Sequence, residues 1–228
     1  MRYGKLIGYG AGIAAMAALA GIMFACNTVR ADPKLPVPQL DEPAAAHAAP
    51  ESVVLAGGCF WGVQAVFEHV QGVVSATAGY AGGEAGTAQY ETVRGGATGH
   101  AESVRVVYDP ARITLGKLLQ VFFSVAHDPT ELNFQGPDVG RQYRSVIFYA
   151  SPEQLRIARA YIQQLQAAKI FARPIVTELT PLSAERNFYP AEAYHPDYAA
   201  HHPDDLYIRI NDLPKLAALQ REWPGLSR

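Results

Sequence analysis

Cysteine is nearly absent from this sequence: its 228 residues contain only Cys26 and Cys59. So few cysteines exclude a fold held together by several disulfides. Cys26 lies in an apolar N-terminal run, so we expect the folded part of the chain to contain a single thiol, that of Cys59. A lone cysteine in this setting is either an inert core residue or a reactive nucleophile.

A surplus of positive charge is also missing. The chain has 19 Lys and Arg against 21 Asp and Glu, which gives a formal net charge of -2. Such a chain has no excess of cations to neutralise phosphates, so we expect no nucleic acid partner. Its length and its 49% hydrophobic residues are sufficient for one sizeable core. We expect a monomer.

Residues 1–31 differ in composition from the rest of the chain. Two basic residues precede a run without charge at 6–26, which is typical of a secretory signal. Three outcomes stay open: cleavage after Ala31, lipidation of Cys26 at a degenerate lipobox, or an uncleaved anchor long enough to span a bilayer. Each of them predicts an exported, periplasmic protein.

A proline- and alanine-rich stretch at 32–50 follows this segment. It has neither the helical nor the alternating period of apolar residues, so we expect a flexible or partly extended spacer. The sequence therefore predicts a single domain at 51–228.

Apolar periodicity within this domain predicts alternating strands and helices. Strands are predicted at 52–56, 73–80, 103–108, 144–150 and from 175, and helices at 59–70, from 114, at 151–169 and at 213–222. The order through residue 150 is β-α-β-β-α-β, which predicts an α+β fold with a ferredoxin-like split core. Such a core is a mixed, mainly antiparallel sheet with helices packed on it; an extra helix, a strand and an irregular C-terminal tail follow.

Cys59 is predicted to lie where the first strand passes into the first helix. The surrounding stretch is GGCFWG at 57–62, whose two leading glycines leave the sulfur open on one side. Unpaired N–H groups and the helix dipole stabilise an anion at this position, so we expect an exposed thiolate. The neighbouring Phe60 and Trp61 cannot both face the core, so we expect one of them to line a pocket.

Several further motifs accompany GGCFWG in a fixed order. They are GYAGG at 79–83, YETV at 90–93, GHAE at 99–102 followed by VRVVYDP, HDP at 127–129 and GPDVGRQYRS at 136–145. Together these segments resemble the peptide methionine sulfoxide reductase A family, over residues 53 to about 200. The resemblance is specific, because GCFWG alone is already a strong signature of that family.

The resemblance implies a reaction and a role for each matching residue. Cys59 would attack the sulfur of methionine S-sulfoxide, in proteins, peptides or the free amino acid, and would become a sulfenic acid. Glu102 would stay protonated in an apolar pocket and deliver a proton. Tyr90 and Tyr143 would hold the sulfoxide oxygen, and Asp138 would order water and the tyrosine network. The substrate-binding residues would be Phe60, Trp61, Tyr194 and Gly58.

The sequence departs from the family in the cysteines that regenerate the enzyme. Many members have one or two C-terminal cysteines that attack the sulfenic acid and form a disulfide, later opened by thioredoxin. No cysteine follows Cys59 here, so the domain cannot make this disulfide. We expect no bound cofactor, oxidised proteins or peptides as substrates, and an external thiol as co-substrate: thioredoxin, glutaredoxin or a small thiol.

Two other functions are possible for a single reactive cysteine. A cysteine hydrolase would pair Cys59 with His100 or His127, although both histidines are expected to be structural. A non-catalytic exported module would bind oxidised methionine without reducing it.

A metal site is a further possibility, because histidines and acids cluster at 195–205. His195, His201 and His202 lack the spacing of a helical zinc site and have no cysteine partner. We therefore expect no metal. The family resemblance implies instead that Tyr194 and Tyr198 close over the active site, as the aromatic C-terminal segment does in relatives.

Overall fold

The computed structural model describes residues 35–43 and 49–228. These residues belong to one compact unit, Asp32–Arg228. The expected signal or anchor at 1–31 lies outside the described residues. Across 35–43 and 49–228, no helix combines the length and the apolar character that a membrane crossing requires.

The described residues form one six-stranded sheet and one short hairpin. The strands are β1 (Glu51–Ala56), β2 (Val73–Ala81), β3 (Ala101–Tyr108), β4 (Phe134–Gln135), β5 (Asp138–Val139), β6 (Val146–Tyr149), β7 (Glu178–Pro181) and β8 (Phe188–Pro190). The sheet has the order β7-β6-β1-β3-β2-β8, and β4 pairs with β5.

The four central strands confirm the predicted fold class. β1 is antiparallel to both β3 and β6, and β3 is antiparallel to β2, which is the arrangement of a ferredoxin-like split core. β7 extends one edge in parallel with β6, and β8 extends the other edge antiparallel to β2. β7 was predicted to start a little earlier in the chain, and β8 was not predicted.

Helices pack on this sheet and continue into the C-terminal segment. They are α1 (Phe60–Glu68), α2 (Tyr90–Val93), α3 (Leu115–Val121), α4 (Pro152–Ala167), α5 (Tyr198–His201) and α6 (Leu213–Glu222). The Ser151 hydroxyl accepts the Gln154 N–H at 3.2 Å, and Pro152 opens α4 as predicted. The predicted bounds of α6 are confirmed, but α2 and α5 were not predicted.

The sheet register determines where the site lies. Alternate residues of β1 and β3, such as Leu55 and Val104, are buried in the core shared with α1. Leu55 lies opposite Val104 in the antiparallel pair. In this register, the start of β3 lies beside the end of β1. Glu102 is near the start of β3 and Cys59 follows the end of β1, so the two residues come close together.

Part of the predicted spacer is instead fixed to the domain. Asp41 Oδ1 accepts the Gly116 N–H at 2.8 Å, and Glu42 Oε1 accepts the Leu115 N–H at 2.7 Å. Residues of the described stretch 35–43 thereby cap the first turn of α3, whose N–H groups have no partner within the helix. Local periodicity could not reveal this contact, because its partners lie more than 70 residues further along the chain.

Candidate active site

One cavity brings together most of the residues that the sequence indicated. It has a volume of about 200 Å³ and is lined by Cys59, Phe60, Trp61, Tyr90, Glu102, Asp138, Tyr143 and Tyr207. All of these except Tyr207 were expected at the site. A larger cavity of about 530 Å³ lies beyond the end of α4, and no cysteine, histidine or carboxylate is among the residues that line it.

The turn from β1 into α1 positions Cys59. Gly58 has a φ of +89°, and a Cβ at this position would lie 2.7 Å from the side chain of Gln135. Only glycine fits such a turn without strain. Gly58 does not line the cavity, so its contribution is to the backbone path and not to a substrate contact.

The thiol of Cys59 is more protected than the sequence suggested. Its residue is 9% exposed. Burial, and then the carboxyl groups of Glu102 and Asp212, raise the pKa of the Cys59 thiol well above its ordinary value. The expectation of an exposed thiolate is therefore wrong for the unliganded protein, because desolvation outweighs the stabilisation offered by the N-terminus of α1.

Glu102 provides an acid beside this thiol. The residue is 2% exposed, and its Oε2 accepts the Phe60 N–H at 3.2 Å. Burial raises the pKa of Glu102 to about 8, the hydrogen bond from Phe60 opposes this shift, and the carboxyl of Asp138 adds to it. The carboxyl is therefore mainly protonated at neutral pH, as expected from its setting.

Two tyrosines come to the cavity from different elements. Tyr90 begins α2, where its N–H donates to Glu192 Oε1 at 2.8 Å. Tyr143 ends a short 3₁₀ turn. Burial, and then the charge of Glu102, raise the pKa of each phenol. Both hydroxyls consequently remain protonated and available as hydrogen-bond donors at neutral pH.

Tyr207 is a site residue that the sequence analysis missed. Its hydroxyl donates a hydrogen bond to Asp138 Oδ2, and it lies just before a π-helical turn, Ile208–Asp212, that leads into α6. Asp138 begins β5, so the bond joins two segments far apart in sequence. No local motif marks such a pair.

Aromatic rings form one side of the cavity. Phe60 is buried and Trp61 is half-buried. The Trp61 ring stacks on Tyr198 with centroids 3.8 Å apart and planes at 10°, and its Nε1 donates to His195 Nδ1 at 3.2 Å. Tyr194 packs on His195 with ring centroids 4.2 Å apart but is 60% exposed and does not line the cavity.

His195 supports this aromatic side. It is 2% exposed, and its ring centroid lies 4.9 Å from that of Phe60 and 4.8 Å from that of Tyr90. Burial lowers the pKa of His195, and the charge of Glu192 opposes this. His195 was a candidate metal ligand from its sequence, but this packing role was not predicted. The described residues contain no group of three His, Cys, Asp or Glu side chains arranged to hold a metal ion.

His100 and His127 make structural hydrogen bonds, as predicted. His100 Nδ1 accepts the Gly83 N–H at 3.2 Å, and its Nε2 donates to the Glu84 carbonyl at 3.0 Å. His127 Nδ1 donates to a carbonyl of the preceding turn at 3.0 Å, and burial lowers its pKa to about 4. Neither histidine lines the cavity with Cys59, which disfavours the hydrolase alternative.

Sequence comparisons agree with this arrangement. The family model for peptide methionine sulfoxide reductase matches residues 51–225. A peptide methionine sulfoxide reductase MsrA 2 from Mesorhizobium japonicum is 54% identical over 187 residues, covering 82% of this chain and 93% of that protein. A protein of the same name from Synechocystis is 50% identical over 173 residues, covering 76% and 79%.

Solved structures give the same assignment. The crystal structure of reduced Mxr1 from Saccharomyces cerevisiae superposes with a TM-score of 0.61 at 34% identity, covering 72% of this chain and 91% of that one. Methionine sulfoxide reductase A of Corynebacterium diphtheriae superposes with a TM-score of 0.58 at 34% identity, covering 74% and 85%. With the motif residues gathered around one thiol and one buried acid, the chain belongs to the peptide methionine sulfoxide reductase A family.

Proposed function

We propose that this protein reduces methionine S-sulfoxide, in proteins, peptides and the free amino acid, to methionine through a sulfenic acid on Cys59. One observation supports the proposal above all. A buried thiol, a carboxylic acid whose pKa is about 8 and two protonated tyrosines line the same cavity of about 200 Å³. Reduction of a sulfoxide needs this combination of a nucleophile and proton donors.

In the first step, Cys59 supplies the electron pair and Glu102 supplies the proton. The Cys59 sulfur attacks the sulfoxide sulfur while the Glu102 carboxyl protonates the departing oxygen. The oxygen ends on Cys59, and the proton of the Cys59 thiol restores Glu102. A thiol and a sulfoxide thus become a sulfenic acid and a thioether, without any other reactant.

The two tyrosines and the aromatic rings of the cavity contact different parts of the methionine sulfoxide side chain. The hydroxyls of Tyr90 and Tyr143 donate to the sulfoxide oxygen as it gains negative charge, in the manner of an oxyanion hole. Phe60 and Trp61 receive the terminal methyl group, since methionine sulfur and methyl groups pack favourably on aromatic rings. The hydrogen bond from Tyr207 holds the Asp138 carboxyl at the edge of the same space.

An external thiol completes the cycle in this proposal. Two thiols reduce the sulfenic acid to a thiol, and water and a disulfide are released. The support is the sequence, in which no cysteine follows Cys59.

We further propose that the protein acts after export. The support is again the sequence of residues 1–31, with basic residues ahead of an uncharged apolar run. Fractionation of cells that express the full chain, with the mass of the mature protein, distinguishes a cleaved signal, a lipidated Cys26 and a retained anchor. Recovery of the uncleaved chain from the cytoplasm would overturn the proposal.

A single turnover without reductant tests the chemistry. The full chain is mixed with a peptide that contains one resolved epimer of methionine sulfoxide, and dimedone traps the sulfenic acid for mass spectrometry. We expect one equivalent of methionine from the S epimer alone and an adduct on Cys59. The Cys59→Ser variant should bind the peptide but release no methionine.

Release of methionine from neither epimer, with Cys59 shown to be reduced, would overturn the enzymatic mechanism. Retained binding under those conditions would then favour the module that binds oxidised methionine.

A further inference from the structure

A second, smaller cavity also reaches Cys59. It has a volume of about 130 Å³ and shares Cys59, Asp138 and Tyr207 with the first cavity. Its remaining walls come from the hairpin turn between β4 and β5 and from the C-terminal segment: Gln135, Gly136, Pro137, Asn211 and Lys215. Cys59 thus borders two cavities whose linings differ.

The second cavity differs from the first in its charged group, because it has a cation where the first has aromatic rings and the Glu102 acid. Lys215 supplies its cation, and the Lys215 Nζ lies 3.2 Å from Asp212 Oδ1. This ion pair uses one of the three N–H donors of the ammonium group. Burial raises the pKa values of both Asp138 and Asp212, and the charge of Lys215 opposes each shift.

The second cavity is small, and Gly136 in its lining faces open space. Gly136 is exposed, has a φ of +53°, and a Cβ at this position would have no atom within 4 Å. The volume is well below the roughly 300–1,000 Å³ of ordinary ligand pockets, and Cys59 itself is 9% exposed. Such a small space favours the sulfur-bearing end of a small molecule over a cysteine on the flat surface of a folded partner.

We propose that this second cavity is where the external thiol reaches Cys59, and that it takes a small thiol that carries a carboxylate. The inference rests on the proposed function, because it concerns the regeneration of the Cys59 sulfenic acid. The carboxylate pairs with the Lys215 ammonium, and the first cavity remains the site of the sulfoxide.

The chemistry balances with two molecules of the thiol. The sulfur of the first attacks the Cys59 sulfenic acid, so that an S–S bond forms and the S–O bond breaks. The oxygen leaves as water, with its own proton and the proton of the thiol. A second thiol attacks the mixed disulfide, returns Cys59 to its reduced form and leaves as a small disulfide, so the two thiols together supply both electrons.

The test isolates the regeneration step in the full chain. The Cys59 sulfenic acid is made with one equivalent of peptide sulfoxide and, separately, with hydrogen peroxide, so that regeneration is measured by either route. The disappearance of dimedone reactivity is then followed with 3-mercaptopropionate or 2-mercaptoethanol, and rates are expressed per thiolate. We expect the carboxylated thiol to react about two to five times faster, as one partly exposed ion pair allows.

Three variants and a matched control identify the cavity. Lys215→Met should bring the ratio of the two rates close to one, and Lys215→Arg should retain most of the preference. Gly136→Asp adds a carboxylate to the lining, in a backbone conformation that aspartate tolerates, and should slow the carboxylated thiol selectively. Arg209→Met removes an exposed cation from the nearby π turn and should leave the ratio unchanged.

The ratio of the rates with the two thiols also distinguishes loss of the carboxylate contact from a general loss of structure. A general loss of structure would change both rates by a similar factor. Equal rates in the unsubstituted protein, or a ratio unaffected by both Lys215→Met and Gly136→Asp, would overturn the site. Faster reaction per thiolate with a protein thiol such as thioredoxin would overturn the ligand class. Normal regeneration after peroxide, without any methionine release from the sulfoxide, would contradict the proposed function and support the thiol site.

Discussion

The backbone N–H of Phe60 donates to Glu102 Oε2 at 3.2 Å, which joins the first residue of α1 to the second residue of β3. Cys59 directly precedes that N–H in the chain. The acid and the thiol are therefore held by one short stretch of backbone, and neither can move away without disturbing the first turn of the helix.

Replacement of the acid should remove most of the proposed catalysis. Glu102→Gln keeps an oxygen for the Phe60 N–H but cannot protonate the sulfoxide oxygen. We expect methionine release in a single turnover to fall about 100- to 10,000-fold, with peptide binding retained. Glu91→Gln, on the exposed side of α2, is the control and should be fully active. A Glu102→Gln rate within tenfold of the unsubstituted rate would exclude Glu102 as the proton donor.

The buried acid should also make stability depend on pH. The pKa of Glu102 is raised from 4.5 to about 8 in the folded protein. Below pH 4.5 the carboxyl is protonated whether folded or unfolded; between pH 4.5 and 8 only the unfolded chain ionises. The stability that Glu102 contributes is therefore lost as pH rises through this window, by about 5 kcal/mol at most.

Urea unfolding of the unsubstituted protein and of Glu102→Gln at pH 5, 7 and 9 measures this loss. The free energy of unfolding of the variant should increase relative to that of the unsubstituted protein as pH rises. Parallel pH profiles would show that Glu102 does not titrate in this range.

The two tryptophans offer a matched pair for the aromatic side of the cavity. Trp61→Phe removes the hydrogen bond to His195 and reduces the stack on Tyr198, so we expect KM for a sulfoxide peptide to rise about fivefold, with a smaller change in kcat. Trp223, whose Nε1 donates to Ser124 Oγ at 2.9 Å, does not line the cavity. Trp223→Phe should lower stability while KM stays unchanged, and equal KM values for both variants would refute the methyl-binding role.

The docked N-terminal segment should contribute to stability. Asp41→Ala removes acceptors for the Thr114 hydroxyl and the Gly116 N–H, so we expect a loss of about 1 kcal/mol and a decrease in Tm of about 3 °C. Glu153→Ala removes an exposed ion pair with Arg156 within α4 and should have a much smaller effect. A thermal melt that does not distinguish the two variants would mean that the segment adds no stability.

Regular periodicity explains why most of the fold could be predicted. The central strands, α1, α3, α4 and α6 all bury one face, so their apolar residues recur at the spacing of a strand or a helix. β8 has three residues and depends on a close approach instead: a Cβ at Gly79 would lie 2.3 Å from the Tyr189 carbonyl. The glycine in GYAGG was visible in the sequence, but the strand that requires it was not.

The site was predictable where its residues lie in motifs. Cys59, Glu102 and Tyr143 belong to such segments, whereas Tyr207 reaches the cavity through one hydrogen bond to Asp138 from 69 residues away. The prediction of an exposed thiolate at Cys59 was wrong for a related reason. A helix start can be predicted from local sequence, but the burial and the two neighbouring carboxyls that raise its pKa depend on the tertiary structure.

The close contact between α1 and the C-terminal segment also affects the order in which this protein matures. A Cβ at Gly62 would lie 2.0 Å from Asp212 Oδ1, and Tyr207 and Lys215 line the cavities beside Cys59. During synthesis, Cys59 leaves the ribosome well before Tyr207 and Lys215, the residues that later help to bury it. The thiol of a nascent or prematurely terminated chain is thus uncovered, and a chain that ends before Tyr207 should be alkylated at Cys59 faster than the finished protein.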